Sequence, residues 1–570
     1  MNIVSKIWNI SSKSLIYSYL IFIAISILNT FIEILSLLYI FPLLDYLVLN
    51  QKSYITELFF KFVTNLKILK NKDEIFIVLF FFIVIFTTKF IINFIHIFFS
   101  QKLQLELRNK FTNELTKEYL SRKYRYFANI NSSILIRNIF QEVPRVILGV
   151  ILNIFNLISE FMLIFSIIIV LFIYDFESAS IVFLLLSTFG LIFILNSKKF
   201  IGKLAKKRLK FDGKYLKNIK ETFDNIKIIK INRKEIFFSN AVKINAYLSF
   251  KANFYYSIVA QSPRVIFELL LVFIVLLVLI INRLDQNIIY TLAIYSVSSL
   301  RLIPAMSKVI NSISNIRFDL PSLNILFNDL KNKKEENKTM ATQESPLNFK
   351  NKIELKNISF FYNEDRFILN KINLKINKND FISIVGEAGS GKSTLVDIIS
   401  GLINPKLGKI YIDDKVLIDE SDVVRWQKTI GYMPQSTTLF DMSIRDNIVL
   451  GPYNSKLNKT RLNKAIKGSE LTSLIKKLKQ GLNTNVGDKG VKISGGEMQR
   501  IALARTLYSE SQVIILDEAT SSLDIETEKK ILKTLKKLKN KTVIFITHRT
   551  NNLKYFNKIY KIHNSSCELK

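Results

Sequence analysis

Six stretches in the first 300 residues, at 16–45, 75–99, 141–173, 179–196, 265–282 and 288–300, are dense in Ile, Leu, Phe and Val. Several reach the roughly 20 apolar residues that cross the hydrocarbon core of a bilayer. No water satisfies backbone N–H and C=O groups there, so such stretches are confined to helices. The sixth is the shortest and carries Ser and Thr, and by length alone it reads as a buried core helix. It is counted as a span because it closely follows the fifth, and because a polar domain after residue 330 has to return to the cytoplasm. Met1 to Lys13 holds two lysines, but the apolar stretch that follows is too long for a signal peptide and lacks a small-residue cleavage site, so the first span is expected to stay.

Lys and Arg number 80 against 46 Asp and Glu, a formal charge of +34. Such an excess invites a nucleic-acid reading. Its distribution argues otherwise. Residues 198–243 are crowded with cations, including Lys206, Lys207, Arg208 and Lys210, whereas the connections Tyr174–Ser178 and Asn282–Ile288 together hold only Arg283. This is the positive-inside bias, and it predicts cytoplasmic termini and no nucleic-acid partner. Cys567 is the only cysteine and there are three histidines, which excludes an intramolecular disulfide framework and argues against a structural zinc site.

The expected organisation is a transmembrane domain over 1–330, a charged linker over 331–349 and a soluble domain over 350–570. Between the spans, residues 100–140 and 197–264 keep helical periodicity while turning polar, so they read as extensions beyond the membrane. Breaks near 121–132 and 221–230 predict short transverse helices at the cytoplasmic tips. In the soluble part, Ile353–Leu355, Phe381–Val385, Val513–Leu516 and Val543–Ile546 are strand-like; the last three are nearly continuous in apolar residues, as strands buried on both faces are.

Gly386-Glu387-Ala388-Gly389-Ser390-Gly391-Lys392-Ser393 follows one such strand and opens a helix, the context of a phosphate loop. Its glycines let N–H groups converge on β- and γ-phosphate oxygens at a helix N-terminus, Lys392 adds a point charge, and Ser393 is placed to ligate magnesium. Asp517-Glu518 ends another buried strand, where Asp517 can hold magnesium and Glu518 can polarise an attacking water.

With the run Ile493-Ser494-Gly495-Gly496-Glu497-Met498-Gln499-Arg500 about 20 residues before Asp517, residues 350–570 resemble an ATP-binding cassette domain. The resemblance implies an α/β fold with ATP and Mg²⁺ as cofactors. It makes Gly386 through Thr394 the phosphate cradle, has Tyr362 stack on adenine, and sets Gln435 as a magnesium and membrane-domain sensor. It also places Ser494, Gly495 and Gly496 on the γ-phosphate held by a second subunit, Asp524 in the segment linking two sites, and His548 as the γ-phosphate switch. Glu497 departs from the usual Gln, and the added charge is expected to matter little. Six spans followed by one cassette resemble half-transporter exporters that act as homodimers. Importers usually separate the two parts, and chromosome-associated ATPases lack spans.

Lys89, Arg264 and Arg301 lie in or beside the second, fifth and sixth apolar stretches. Embedded charges usually face a cavity or a partner. Three cations on three helices suit an anionic head group such as a diphosphate; alternatively Arg264 pairs with Glu268 one helical turn on, and Glu33 and Glu160 serve the others. The segments Pro263–Glu268 and Leu300–Ala305 resemble PglK-type flippases. That resemblance implies ATP-driven flipping of a polyprenyl-diphosphate-linked oligosaccharide across a bacterial inner membrane for protein N-glycosylation. The alternatives are an exporter of another lipid, glycan, drug or peptide, and a non-transporting regulatory ATPase; the absence of a peptidase domain before the first span counts against a bacteriocin exporter. Residues 54–63 are amphipathic and aromatic, and read either as a helix on the outer membrane surface that engages a polyprenyl tail or as a cap on the helix hairpin.

Overall fold

The computed structural model describes residues 2–39, 42, 56–57, 61, 74–174, 176–281, 288–331, 345–362, 366–450, 457–487 and 490–569. The amphipathic stretch 54–63, most of the linker 331–349, and the connection holding Arg283 fall wholly or largely outside the described residues. The chain folds as two compact units, Met1–Arg122 with Phe127–Glu336, and Lys123–Tyr126 with Asn337–Lys570.

The first unit is helical. Its long helices are Lys13–Leu38, Glu74–Ser121, Leu152–Tyr174, Phe176–Asp224, Glu235–Ile281 and Ile288–Lys331. Among the described residues, five helical segments are long and apolar enough to cross a membrane: Lys13–Leu38, Ile75–Ser121, Ser132–Ile173, Phe176–Asp224 and Glu235–Leu277. Large apolar side chains such as Phe90, at 72% exposure, and Leu195, at 67%, point outward along them. A soluble protein hides such surface, whereas lipid accepts it. The long helices continue as polar rods because a narrower apolar stripe persists: Leu103, Leu107, Phe111 and Leu115 recur every four residues and bury against Val146, Val150, Leu323 and Leu326. Short helices Tyr124–Asn129 and Ile226–Ile231 interrupt the rods.

Between Ser132 and Tyr174 the helix carries two π-helical turns, Asn138–Glu142 and Val146–Ile151, on either side of Pro144. There Val143 N–H bonds to Asn138 C=O and Leu152 N–H to Ile147 C=O, each five residues back. Proline lacks the N–H a regular ladder needs, and the widened turns fall on either side of that gap. The widened stretch surrounds a buried charge network. Arg208, fully buried, faces Glu142 and Asp319 and donates to Ser322 Oγ at 2.8 Å, with Phe318's ring 4.8 Å from its guanidinium. Arg145 pairs with Asp212 at 3.3 Å.

The second unit is α/β. Strands β1 (Lys352–Phe360), β2 (Leu369–Asn377), β4 (Leu407–Ile412) and β5 (Lys415–Val416) make an antiparallel sheet in the order β2-β1-β4-β5. The other sheet runs β10-β9-β3-β8-β7-β6, with β3 Phe381–Gly386, β6 Ile430–Met433, β7 Val513–Asp517, β8 Thr542–Ile546, β9 Lys558–His563 and β10 Ser566–Leu569. It is parallel apart from β10. Every residue of β7 and β8 is buried, because helices cover both faces of a parallel sheet.

Candidate nucleotide-hydrolysis site

The parallel sheet converges the chemistry on one edge. Its register aligns Met433 with Leu516, Asp517 with Ile546 and Ile384 with Ile546. The segments leaving the carboxyl ends of β3, β6, β7 and β8 therefore emerge side by side, at the place where open α/β sheets bind ligands. Those segments are the phosphate loop, Gln435, Asp517-Glu518 and His548.

Gly391 closes the loop at φ +96, just before the helix Lys392–Ile399, and a Cβ there would meet Ile368 Cγ2 at 2.9 Å. Glycine alone combines that left-handed conformation with that approach. Lys392 Nζ donates to the carbonyls of Gly386, at 3.0 Å, and Glu387, at 2.7 Å, which holds the ammonium across the loop. Burial lowers its pKa, opposed by the charges of Glu518 and Asp517. Ser393 hydrogen-bonds Asp517, whose carboxyl is raised chiefly by burial. Ser390 Oγ is buried with no partner among the described residues, and Thr394 is buried in the first turn of the helix.

Glu518 sits at φ 47 in the left-handed region, unusual for a glutamate. Its N–H bonds to Ile546 C=O at 3.1 Å, so the sheet sustains this backbone. One carboxylate oxygen accepts from Gln435 Nε2 at 2.9 Å and the other lies 2.6 Å from His548 Nε2. Three sequence-predicted residues thus meet in one cluster.

Tyr362 is exposed, packs edge-on against Phe360 at 5.1 Å between ring centroids, and lines a cavity of about 530 Å³ with Glu387, Ala388, Gly389 and Ser390. Ser494, Gly495, Gly496 and Asp524 do not line it. They form a second cluster. Ser494 caps the helix Gly495–Tyr508, and Glu497 closes a capping box, its carboxylate accepting from Ser494 N–H at 2.8 Å. Glu and Gln both serve at that position, which accounts for the departure at Glu497 without loss of structure. Gln499 on the same helix donates to Ser521 Oγ at 2.9 Å and accepts from Ser522 N–H at 3.0 Å. Asp524 caps the next helix, and its bond from Thr527 N–H holds its carboxyl below the usual range.

The predicted membrane cations divide. Lys89 is buried, donates to Ser36 Oγ at 2.8 Å and lies within electrostatic reach of Arg301 and Glu33. Arg301 pairs with Glu33 at 2.6 Å. Arg264 pairs with Glu268 at 3.0 Å on an exposed helix face, the local alternative that spacing allowed. Glu160 is matched by Lys308, at 2.8 Å, a residue that sequence reasoning passed over. Its signal was its place seven residues after Arg301, on the same helical face.

Long apolar helices and an α/β unit with a glycine-rich loop stand together in one chain. Residues 369–521 match the ABC transporter family model, which implies ATP binding. The fold is similar to that of a bacterial Atm1-family ABC exporter solved with ATP bound: TM-score 0.78 and 18% identity, covering 98% of this chain and 95% of that one. A putative export ATP-binding/permease protein of Rickettsia bellii is 29% identical over 503 residues, 83% of each chain. A putative export ATP-binding/permease protein of Rickettsia typhi is 39% identical over 206 residues, only 35% of either chain. The alpha-hemolysin translocation protein HlyB of Escherichia coli O157:H7 is 42% identical over 217 residues, 37% of this chain and 30% of that one.

Proposed function

We propose that the chain is an ATP-driven exporter half-transporter that works as a homodimer in a bacterial inner membrane, with its cassettes and termini in the cytoplasm. In this reading the short helices Tyr124–Asn129 and Ile226–Ile231 couple the membrane domain to the cassettes. The loop N–H groups, Ser390 and Lys392 hold the phosphates, and Tyr362 the base. Ser393, Asp517 and Gln435 offer hard oxygen donors that fit magnesium, which when bound neutralises phosphate charge. Glu518, oriented by Gln435 and His548, positions the attacking water. Ser494 and Gly496 complete the site of the partner subunit, consistent with their lying outside the lining of the Tyr362 cavity.

The cargo we propose is a polyprenyl-diphosphate-linked oligosaccharide, moved from the cytoplasmic leaflet and used for N-glycosylation. The observation that carries this reading is the cluster Lys89, Arg301 and Lys308 with Glu33 and Glu160, three cations against two carboxylates within the helical unit. Charges at membrane depth are costly and mark cargo paths, and a surplus cation favours an anionic head group. Relatives named for hemolysin translocation and for iron-sulfur cluster transport support export without singling out this cargo.

Proteoliposomes loaded with polyprenyl-diphosphate oligosaccharide test both halves. ATP-dependent flipping that Lys89→Ala or Arg301→Ala abolishes is the expected result; ATP hydrolysis without flipping rejects this cargo. Glu518→Gln should lower hydrolysis at least about 100-fold while MgATP still binds, and an unchanged rate would reject Glu518 as the water-positioning group.

A further inference from the structure

Strand β9 runs parallel to β3 with Ile562 opposite Gly386. Next in sequence come His563, the last residue of β9, and Glu387, the first after β3, and both line one cavity. Gly386 allows the close approach, since a Cβ there would lie 2.6 Å from Ile562 O. The chain then reverses through Asn564 and Ser565, at φ 48 and 60. These are the conformations of a two-residue hairpin turn matched to strand twist, and Asn tolerates them well.

The turn is fastened to the other wall of the cavity. Ser565 Oγ donates to Phe367 O at 3.0 Å and Asn370 N–H donates to Ser565 O at 2.8 Å, while within the turn itself Ser566 Oγ donates to His563 O at 2.7 Å. His563 and Asn564 line the same cavity as Tyr362, Arg366 and the loop residues Glu387–Ser390. Both are exposed, and among the described residues neither side chain makes a hydrogen bond. The phosphates are already provided for by the loop N–H groups and Lys392. An imidazole and a carboxamide therefore remain, each carrying donor and acceptor positions, facing the space beyond the phosphates.

We propose that His563 and Asn564 form a polar wall that binds the nucleoside portion of the nucleotide, the carboxamide reading the base edge opposite Tyr362. A carboxamide presents the adjacent donor and acceptor that complement adenine's edge. This rests on the reading of the cavity as an ATP site.

Full-length protein in lipid nanodiscs is titrated calorimetrically with MgADP and separately with magnesium pyrophosphate, which lacks a nucleoside. Asn564→Gly removes the carboxamide yet keeps the left-handed backbone, and His563→Ala removes the imidazole. Each is expected to weaken MgADP binding about 3- to 10-fold, the pair together more, with pyrophosphate affinity unchanged and His563→Gln largely restoring ADP binding. Equal weakening of both ligands would show that the turn only props the loop, and no change in either would remove it from the site; both overturn the proposal. Wild-type protein that binds neither nucleotide nor pyrophosphate would instead overturn the ATP reading itself.

Discussion

Arg208 is the side chain whose loss the helical unit should tolerate least. Its guanidinium is fully buried between Glu142, itself 1% exposed, and Asp319, from the helix Ile288–Lys331. Arg208→Met keeps the volume and most of the apolar contact with Phe318 but leaves Glu142 and Asp319, its two closest carboxylates, short of a cation, while Asp212, 3.9 Å away, keeps Arg145. Breaking a buried pair typically costs 3–5 kcal/mol, against about 0–1 for an exposed pair such as Lys217–Glu221. Both carboxylates keep a second, poorer partner: Arg137 Nε lies 3.6 Å from Glu142 and Arg145 Nη1 3.9 Å from Asp319. The expected loss is therefore at the low end, about 3 kcal/mol. Thermal scans at fixed rate and limited proteolysis of protein in nanodiscs would measure it, with Lys217→Met as the exposed control. Adding Glu142→Gln and Asp319→Asn to Arg208→Met should recover most of the loss, because the penalty belongs to unpaired charge and not to missing bulk. A single variant as stable as wild type, or a triple variant no better than the single, would refute the reasoning.

Gly149 faces the same network: a Cβ there would fall 1.9 Å from Asp319 Oδ2, so Gly149→Ala should destabilise the helical unit by about 1–3 kcal/mol in the same scans. Asp319→Asn should soften that effect if the pinned carboxylate is its source. Glu497→Gln preserves the capping box and should change ATP hydrolysis less than about twofold, while Glu497→Ala removes one arm and should cost about 0.5–1 kcal/mol in cassette stability, followed through the emission of buried Trp426. Burial, with Glu568's charge adding, pushes the Cys567 thiol up to about 11. At pH 8 its thiolate fraction should be about 100-fold below that of a free thiol; maleimide labelling of this single cysteine should be correspondingly slow in native protein and fast in detergent-denatured chain.

Much of this molecule is local in origin, and therefore legible in the chain. Long apolar runs oblige the backbone to form membrane helices, and glycines at fixed spacing before Lys392 oblige the loop after β3 to turn back on itself. Asp517 and Glu518 ending an apolar run placed both carboxylates at a strand terminus before any contact was known. What local pattern does not carry is pairing across long sequence separations. That Arg301 meets Glu33, that Glu160 takes Lys308, and that Arg208 unites Glu142 with Asp319 depend on how separate helices pack. The turn at His563–Ser565 is the same case: nothing in its residues announces a nucleotide, and only the alignment of Ile562 with Gly386 brings it to the phosphate loop. The sequence by itself determined the two-part architecture and the strand-end segments that make up the candidate site, because these follow from solvent and backbone geometry. Tertiary structure alone decided which charges are neutralised and which side chains share a cavity, because those depend on distances that no segment fixes alone.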